Sequence, residues 1–305
     1  MQWSLRLPRL RLSLSWLGGF GGRVMVLYLG YTAALFVIFL LITFPHELLI
    51  RRVLGSVNRG PVTIEFTSAN FAWLKGYELS GMWIGPNKDG QAPFLECSHF
   101  WVRPALNALI HGNPYAVRMS AELYGGSAQG DFSMAGGTLV GNLQLHDLNI
   151  GRYRALTSLF EEGGPAGRLS GELNFEARAG NLNSGQAGGE LRLDGGSLTG
   201  AKLQGFGGVP DFHFRQVKLK FALRGGRLEV QEFKASGDMN VDASGQVAMR
   251  EPLPESQLNL KVTLETSLAT PDPIKTLVAL IPRPPGSKPD APVTISGTFA
   301  KPRAR

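Results

Sequence analysis

The chain has 305 residues, 43% of them apolar, which is ordinary for a globular protein and enough to bury a sizeable surface. Its 39 Gly and 19 Pro follow no collagen-like period, so fibrous architectures are excluded, and many strands joined by tight turns are the better match. The net charge of +7 does not make it a nucleic-acid binder: Arg6, Arg9, Arg11 and Arg23 face no acid in residues 1–46, and without them 27 basic residues meet 24 acidic ones.

Residues 1–23 form a basic tail in which Trp3, Leu5, Leu7, Leu10, Leu12, Leu14 and Trp16 alternate with arginine. Such a tail either lies along an anionic inner leaflet or stays disordered. Residues 24–44, VMVLYLGYTAALFVIFLLITF, carry no charge over 21 positions. At about 1.5 Å per residue this run matches a hydrocarbon core of about 30 Å, which predicts a transmembrane helix. A cleavable signal peptide is the poorer fit. Its apolar core is about 7–15 residues and ends near a small-x-small site, whereas Phe44-Pro45-His46-Glu47 follows here. Four arginines and the terminal amine precede the span, against Glu47, Arg51 and Arg52 just after it. This bias predicts a cytoplasmic N-terminus, with Arg6, Arg9, Arg11 and Arg23 as the orienting residues. Residues 45–60 are juxtamembrane, and Leu48, Leu49, Val53, Leu54 and Val57 predict that helix continues over 46–57.

From residue 61 to 305 the dominant period is two, the mark of antiparallel strands with one apolar face. Leu169, Gly171, Leu173, Phe175 and Ala177 alternate with Arg168, Ser170, Glu172, Asn174, Glu176 and Arg178. The same pattern recurs from Val62, Val117, Leu139, Val217, Val241, Leu258 and Val293, giving roughly a dozen strands. Gly125-Gly126, Gly136-Gly137, Gly195-Gly196 and Gly225-Gly226 read as hairpin turns. Short helices are predicted at 104–111, 152–162 and 273–281, and a Pro-rich loop at 282–292. The apolar face of such a sheet either closes on itself as a sandwich or stays open as a trough, and the alternation fits both.

Chemistry is absent from the pattern. His46, His99, His111, His146 and His213 share no metal-ligand spacing. The turns at Gly125–Gly130 and Gly195–Gly200 read G-x-S-x-x-G, missing the nucleophile elbow by one residue, and Ala201-Lys202 is no phosphate-loop ending. Cys97, the only cysteine, excludes an intramolecular disulfide and reads as a small apolar residue in a strand. Asp147 and Asp211 have no matching partner. No enzyme activity, metal or cofactor is expected.

One ordered series of short motifs remains. It runs from Phe44-Pro45 through Phe71-Ala72-Trp73, Gly76-Tyr77-Glu78-Leu79, Leu95-Glu96-Cys97 and Val102-Arg103-Pro104-Ala105-Leu106. It continues with Leu109-Ile110-His111-Gly112-Asn113-Pro114, Tyr124-Gly125-Gly126, Leu228-Glu229-Val230, Gly237-Asp238 and Ala243-Ser244-Gly245-Gln246-Val247. Pro252, Ser256-Gln257-Leu258-Asn259-Leu260, Ile295-Ser296-Gly297-Thr298 and Pro302 close it. Over residues 44–302 this order resembles the type II secretion system protein N family, itself similar to AsmA-like envelope proteins. The resemblance implies a single-pass bacterial inner-membrane protein, its bulk a periplasmic β domain at 61–305. It implies a mainly β fold: a long curled antiparallel sheet, a trough or half-barrel, with a few short helices. For AsmA-like relatives it implies an apolar groove for membrane lipid. On this chain the groove candidates are Leu169, Leu173, Phe175, Leu191, Leu193, Val217, Leu219, Phe221, Leu223, Val241, Val247, Leu258, Leu260, Val262 and Ile295. The implied partners are lipid and other inner-membrane secretion subunits, with no nucleic acid and no metal.

Overall fold

The computed structural model describes residues 20–43, 46–58, 62–72, 76–86, 93, 95–105, 116–158, 160–178, 181–203, 207–250, 255–268, 270–281, 291–298 and 301–304. The chain divides into two units, residues 1–49 and 50–305. In the first, helix α1 runs over Phe20–Thr43, starting four positions before the predicted span. Its described side chains, 24–39 and 43, are all exposed, among them Leu27, Leu29, Phe36 and Phe39. Among the described residues no helix is long and apolar enough to cross a membrane. Arg6, Arg9, Arg11, the side chain of Arg23 and the Trp-bearing tail lie outside the described residues.

Helix α2 (His46–Val57) occupies the stretch that the leucine spacing predicts. Its second half belongs to the larger unit. There Ile50 packs on the core, and the Arg51 guanidinium lies 4.7 Å from the centre of the Phe66 ring. Asn58, just beyond, pairs its side-chain amide with both the N–H and the C=O of Ile64, each at 2.9 Å. The amide thereby occupies the backbone groups that a neighbouring strand would use, which blunts that sheet edge.

Among the described residues the larger unit is built on one antiparallel sheet of sixteen strands, more than the dozen expected. In chain order they are β1 (Val62–Glu65), β2 (Ser68–Ala72), β3 (Gly76–Pro86), β4 (Leu95–Pro104), β5 (Ala116–Leu123), β6 (Gly126–Ala135), β7 (Thr138–Asn149) and β8 (Phe160–Arg178). Then come β9 (Asn181–Leu203), β10 (Gly207–Gly208), β11 (Phe212–Arg224), β12 (Arg227–Gly237), β13 (Met239–Ala248), β14 (Gln257–Thr266), β15 (Val293–Thr298) and β16 (Lys301–Ala304). Successive strands pair as neighbours, except that β1 and β2 both pair β3, while β9 pairs β8, β10 and β11. β1 and β16 do not pair with each other, so the sheet is not closed into a barrel. Hairpin after hairpin is what uninterrupted period-two alternation between tight turns dictates.

Three turns carry the left-handed backbone that such hairpins need. Gly136-Gly137 (φ +58° and +77°) and Gly225-Gly226 (φ +54° and +73°) stand where the sequence puts them. At the first pair the turn sits one residue earlier, on Tyr124-Gly125, because Leu123 faces Gly126. Gly195-Gly196 is no turn: it lies inside β9, which runs on past the bend that Gly195 allows at φ +61°. The helix predicted at 152–162 is shorter, a 3-10 turn at Ile150–Arg152 followed by α3 (Arg154–Thr157), and Phe160 already opens β8. Helix α4 (Asp272–Ala279) matches its expected place. Of the stretch 104–111, Pro104 ends β4, 105 follows it without regular structure, and the remainder lies outside the described residues, as does most of the Pro-rich loop.

Two apolar clusters are sealed from water. One joins Leu79, Met82, Cys97, Leu123 and Leu148 from β3, β4, β5 and β7. The other seats Ile274 and Val278 of α4 on Phe212. Burial pushes the Cys97 thiol up to about 11, and its hydrogen points to the Met82 carbonyl at 3.6 Å, so it behaves as a packing residue.

Candidate functional site

Strand register decides which apolar residues share a face, and here it gathers all fifteen groove candidates onto one. They fall in four adjacent rows crossing the strands. The first row reads Leu148, Leu169, Leu193, Val217, Ala235, Val241 and Leu264. The second reads Leu145, Gly171, Leu191, Leu219, Phe233, Ala243, Val262 and Val293, and the third Leu143, Leu173, Gly189, Phe221, Val230, Gly245, Leu260 and Ile295. The fourth begins at Gly141 and Phe175, passes Ala187, Leu223 and Leu228, and ends at Val247, Leu258 and Gly297. Strand neighbours stand about 4.8 Å apart, so a row followed through the six steps from β7 to β14 extends about 29 Å.

Glycine on this face makes room for large neighbours. A methyl at Gly141 would meet the ring of Phe175 at 2.4 Å and that of Phe132 at 2.8 Å. The two rings stand 5.8 Å apart over it. Gly189 likewise accommodates Leu173, at 2.7 Å from the place of a missing methyl. Much of the glycine content is thus spent on packing, as well as on turns.

Exposure separates the candidates. Val247, Leu258 and Val262 are buried, with Val247 at 3%. The other twelve, including Leu173, Leu191, Leu219 and Phe221 in the middle of the sheet, are only half-buried. A large apolar area is therefore partly reachable from water, which monomeric soluble proteins rarely leave without purpose. The opposite face is charged. Lys218 lies 3.3 Å from Glu190 and 3.6 Å from Glu232, and Lys234 lies 2.8 Å from Glu232. The lysine hydrogen bond pulls the Glu232 carboxyl below its ordinary range.

At the β4–β8 end of the rows lies a cavity of about 350 Å³, at the small end of ligand pockets, which run about 300–1,000 Å³. Its walls are mostly apolar residues of β4 to β8, with Ser120 and Asn149 among them, and Ile150 and Tyr153 join from the turn after β7. Of the fifteen candidates only Leu169 lines it. Sequence reasoning missed Phe100, Phe132, Leu148 and the two tyrosines. The alternation of Met119, Ala121 and Leu123 with that of Leu143 and Leu145 supplied a signal for the floor, but none existed for the residues of the turn.

The polar groups singled out in the sequence do structural work. Asp211 accepts the Gly200 N–H at 2.7 Å, and Asp238 accepts the His213 N–H at 2.7 Å and meets its ring at 3.2 Å. Among the described residues no three His, Cys, Asp or Glu side chains gather as metal ligands. No protein-family model, curated protein or solved structure matches this chain.

Proposed function

We propose that this chain is a membrane-anchored lipid-holding protein, its β domain curled into a trough whose apolar rows cradle acyl chains on the periplasmic side of a bacterial inner membrane. The observation that carries the reading is the set of four unbroken apolar rows, half-buried and not sealed across the middle of the sheet. At about 29 Å from β7 to β14 each row is long enough for one acyl chain, which spans half of a hydrocarbon core of about 30 Å. A closed sandwich would bury the middle of these rows as deeply as Val247.

Helix α1 serves as the anchor. It is apolar on every side and exposed on every described side chain, and a helix of that kind belongs inside a large core or in lipid. The sequence supports this: residues 24–44 carry no charge over 21 positions, a run that at about 1.5 Å each matches a hydrocarbon core of about 30 Å. The arginine bias puts the N-terminus in the cytoplasm. The motif order over residues 44–302 supports a place as an accessory of type II secretion, beside other inner-membrane subunits. The apolar rows equally suit an AsmA-like role in lipid transfer or envelope upkeep apart from secretion. No catalytic step is assigned to it.

Topology is the first test. A reporter active only in the periplasm, fused after Arg305, should be active, and a cytoplasm-only reporter at the same place should be silent. The reverse pattern overturns both the localisation and the family reading. Deleting the gene then separates the two roles: loss of cargo export with unchanged lipid distribution favours secretion, and the opposite favours lipid transfer.

A further inference from the structure

The cavity beside Ile150 and Tyr153 is unlike the rest of the apolar face, because residues from outside the strands help to line it. Its floor is hydrocarbon from Phe100, Met119, Ala128, Leu143 and Leu145. Two of the polar groups that line it are engaged: the Tyr124 hydroxyl accepts the Glu96 N–H at 3.0 Å, and the Asn149 side-chain oxygen accepts the Gly151 N–H at 3.0 Å. A guest here therefore has little to gain from polar atoms and much to lose by burying them unpaired. Apolar cavities of this sort stay dry and take apolar guests. At roughly 30 Å³ for a water-sized group, the space holds on the order of ten such groups.

Three of the four rows run straight into it. Leu148 and Leu169 of the first line it, Leu145 of the second faces Gly171 and then Leu191, and Leu143 of the third faces Leu173, so hydrocarbon lying along any of them is led to the cavity. Tyr124 stands at its wall in a conformation that bulky residues seldom adopt, with φ +52°. Its ring meets that of Tyr153 edge-on at 5.6 Å, and the hydrogen bond from Glu96 fixes its far end.

We infer that this cavity is the end stop of the trough: it receives the methyl end of a phospholipid acyl chain whose remainder lies along these rows. The depth down to Tyr124 then sets the chain length the protein retains. This inference rests on the lipid-holding reading. Methyl ends of different chains differ only in reach, so selectivity takes the form of a length cut-off, weakening binding about fourfold for each methylene left outside.

The test is the acyl-chain profile of phospholipid that co-purifies with the full chain. Ala128→Leu fills the cavity floor and should move the profile toward shorter chains. Tyr124→Gly suits the positive φ, removes the wall and should move it toward longer ones. Opposite shifts from two variants are not produced by general loss of packing. An unchanged profile in both, with lipid still bound, overturns the end stop and leaves the trough standing. Loss of all lipid from both overturns it as well, and absence of lipid from the parent protein takes down the trough reading with it.

Discussion

Leu219→Glu and Leu260→Glu should each give a soluble, protease-resistant protein that no longer carries phospholipid. Both residues sit on the second and third apolar rows, and both are half-buried. In an open trough a carboxylate at either position turns toward water, so folding loses little, while an acyl chain meets a charge and leaves. Val247→Glu is the contrast on the same face. At 3% exposure its charge would be buried without a partner, which costs several kcal/mol against a total stability of about 5–15 kcal/mol. That variant should unfold. Lys220→Gln on the charged face should do neither, with a stability change within about 0.5 kcal/mol. Lys218 is the poorer control, since it bridges Glu190 and Glu232. Solubility, limited proteolysis and lipid extraction read all four. Aggregation of both leucine variants, with no lipid on the parent, means the face is a packed core.

The second large effect lies away from the rows. Ile274 of α4 is fully buried, at 0% exposure, with Val278 and Phe212 around it. Ile274→Ala should cost about 2–5 kcal/mol through lost contacts and the cavity left behind. For a unit of this size that is a fall in Tm of roughly 5–15 °C in a thermal scan. A fall below about 2 °C would mean that α4 is not a fixed part of the fold.

Long strands were readable from period-two alternation alone. Leu169 to Ala177 alternates with charged residues through β8, and register places it on one face as expected. Three strands were too short for a period to show: β2, β10 and β16 have two to five residues each. Gly195-Gly196 misled because positive φ serves a bulge within a strand as readily as a turn between strands. Helix 152–162 came out short because Phe160 and the residues after it find backbone partners on β9, from Leu203 back, and pairing outweighs local propensity. The fifteen row residues were legible one strand at a time. Their assembly into four rows was not, because register depends on turn geometry, as at Tyr124-Gly125. The cavity was the least legible. Phe100, Tyr124, Leu148 and Tyr153 are far apart in sequence and meet only through the sheet.

Photo-crosslinking in living cells measures the central claim most directly. A photoreactive amino acid is placed in turn at Leu191, Leu219 and Leu260 on the rows, and at Lys220 and Lys234 on the opposite face. An acyl chain held in the trough gives phospholipid adducts by mass spectrometry at the three row positions and none at the two lysine positions. Adducts absent from the rows, or equal on both faces, would contradict it.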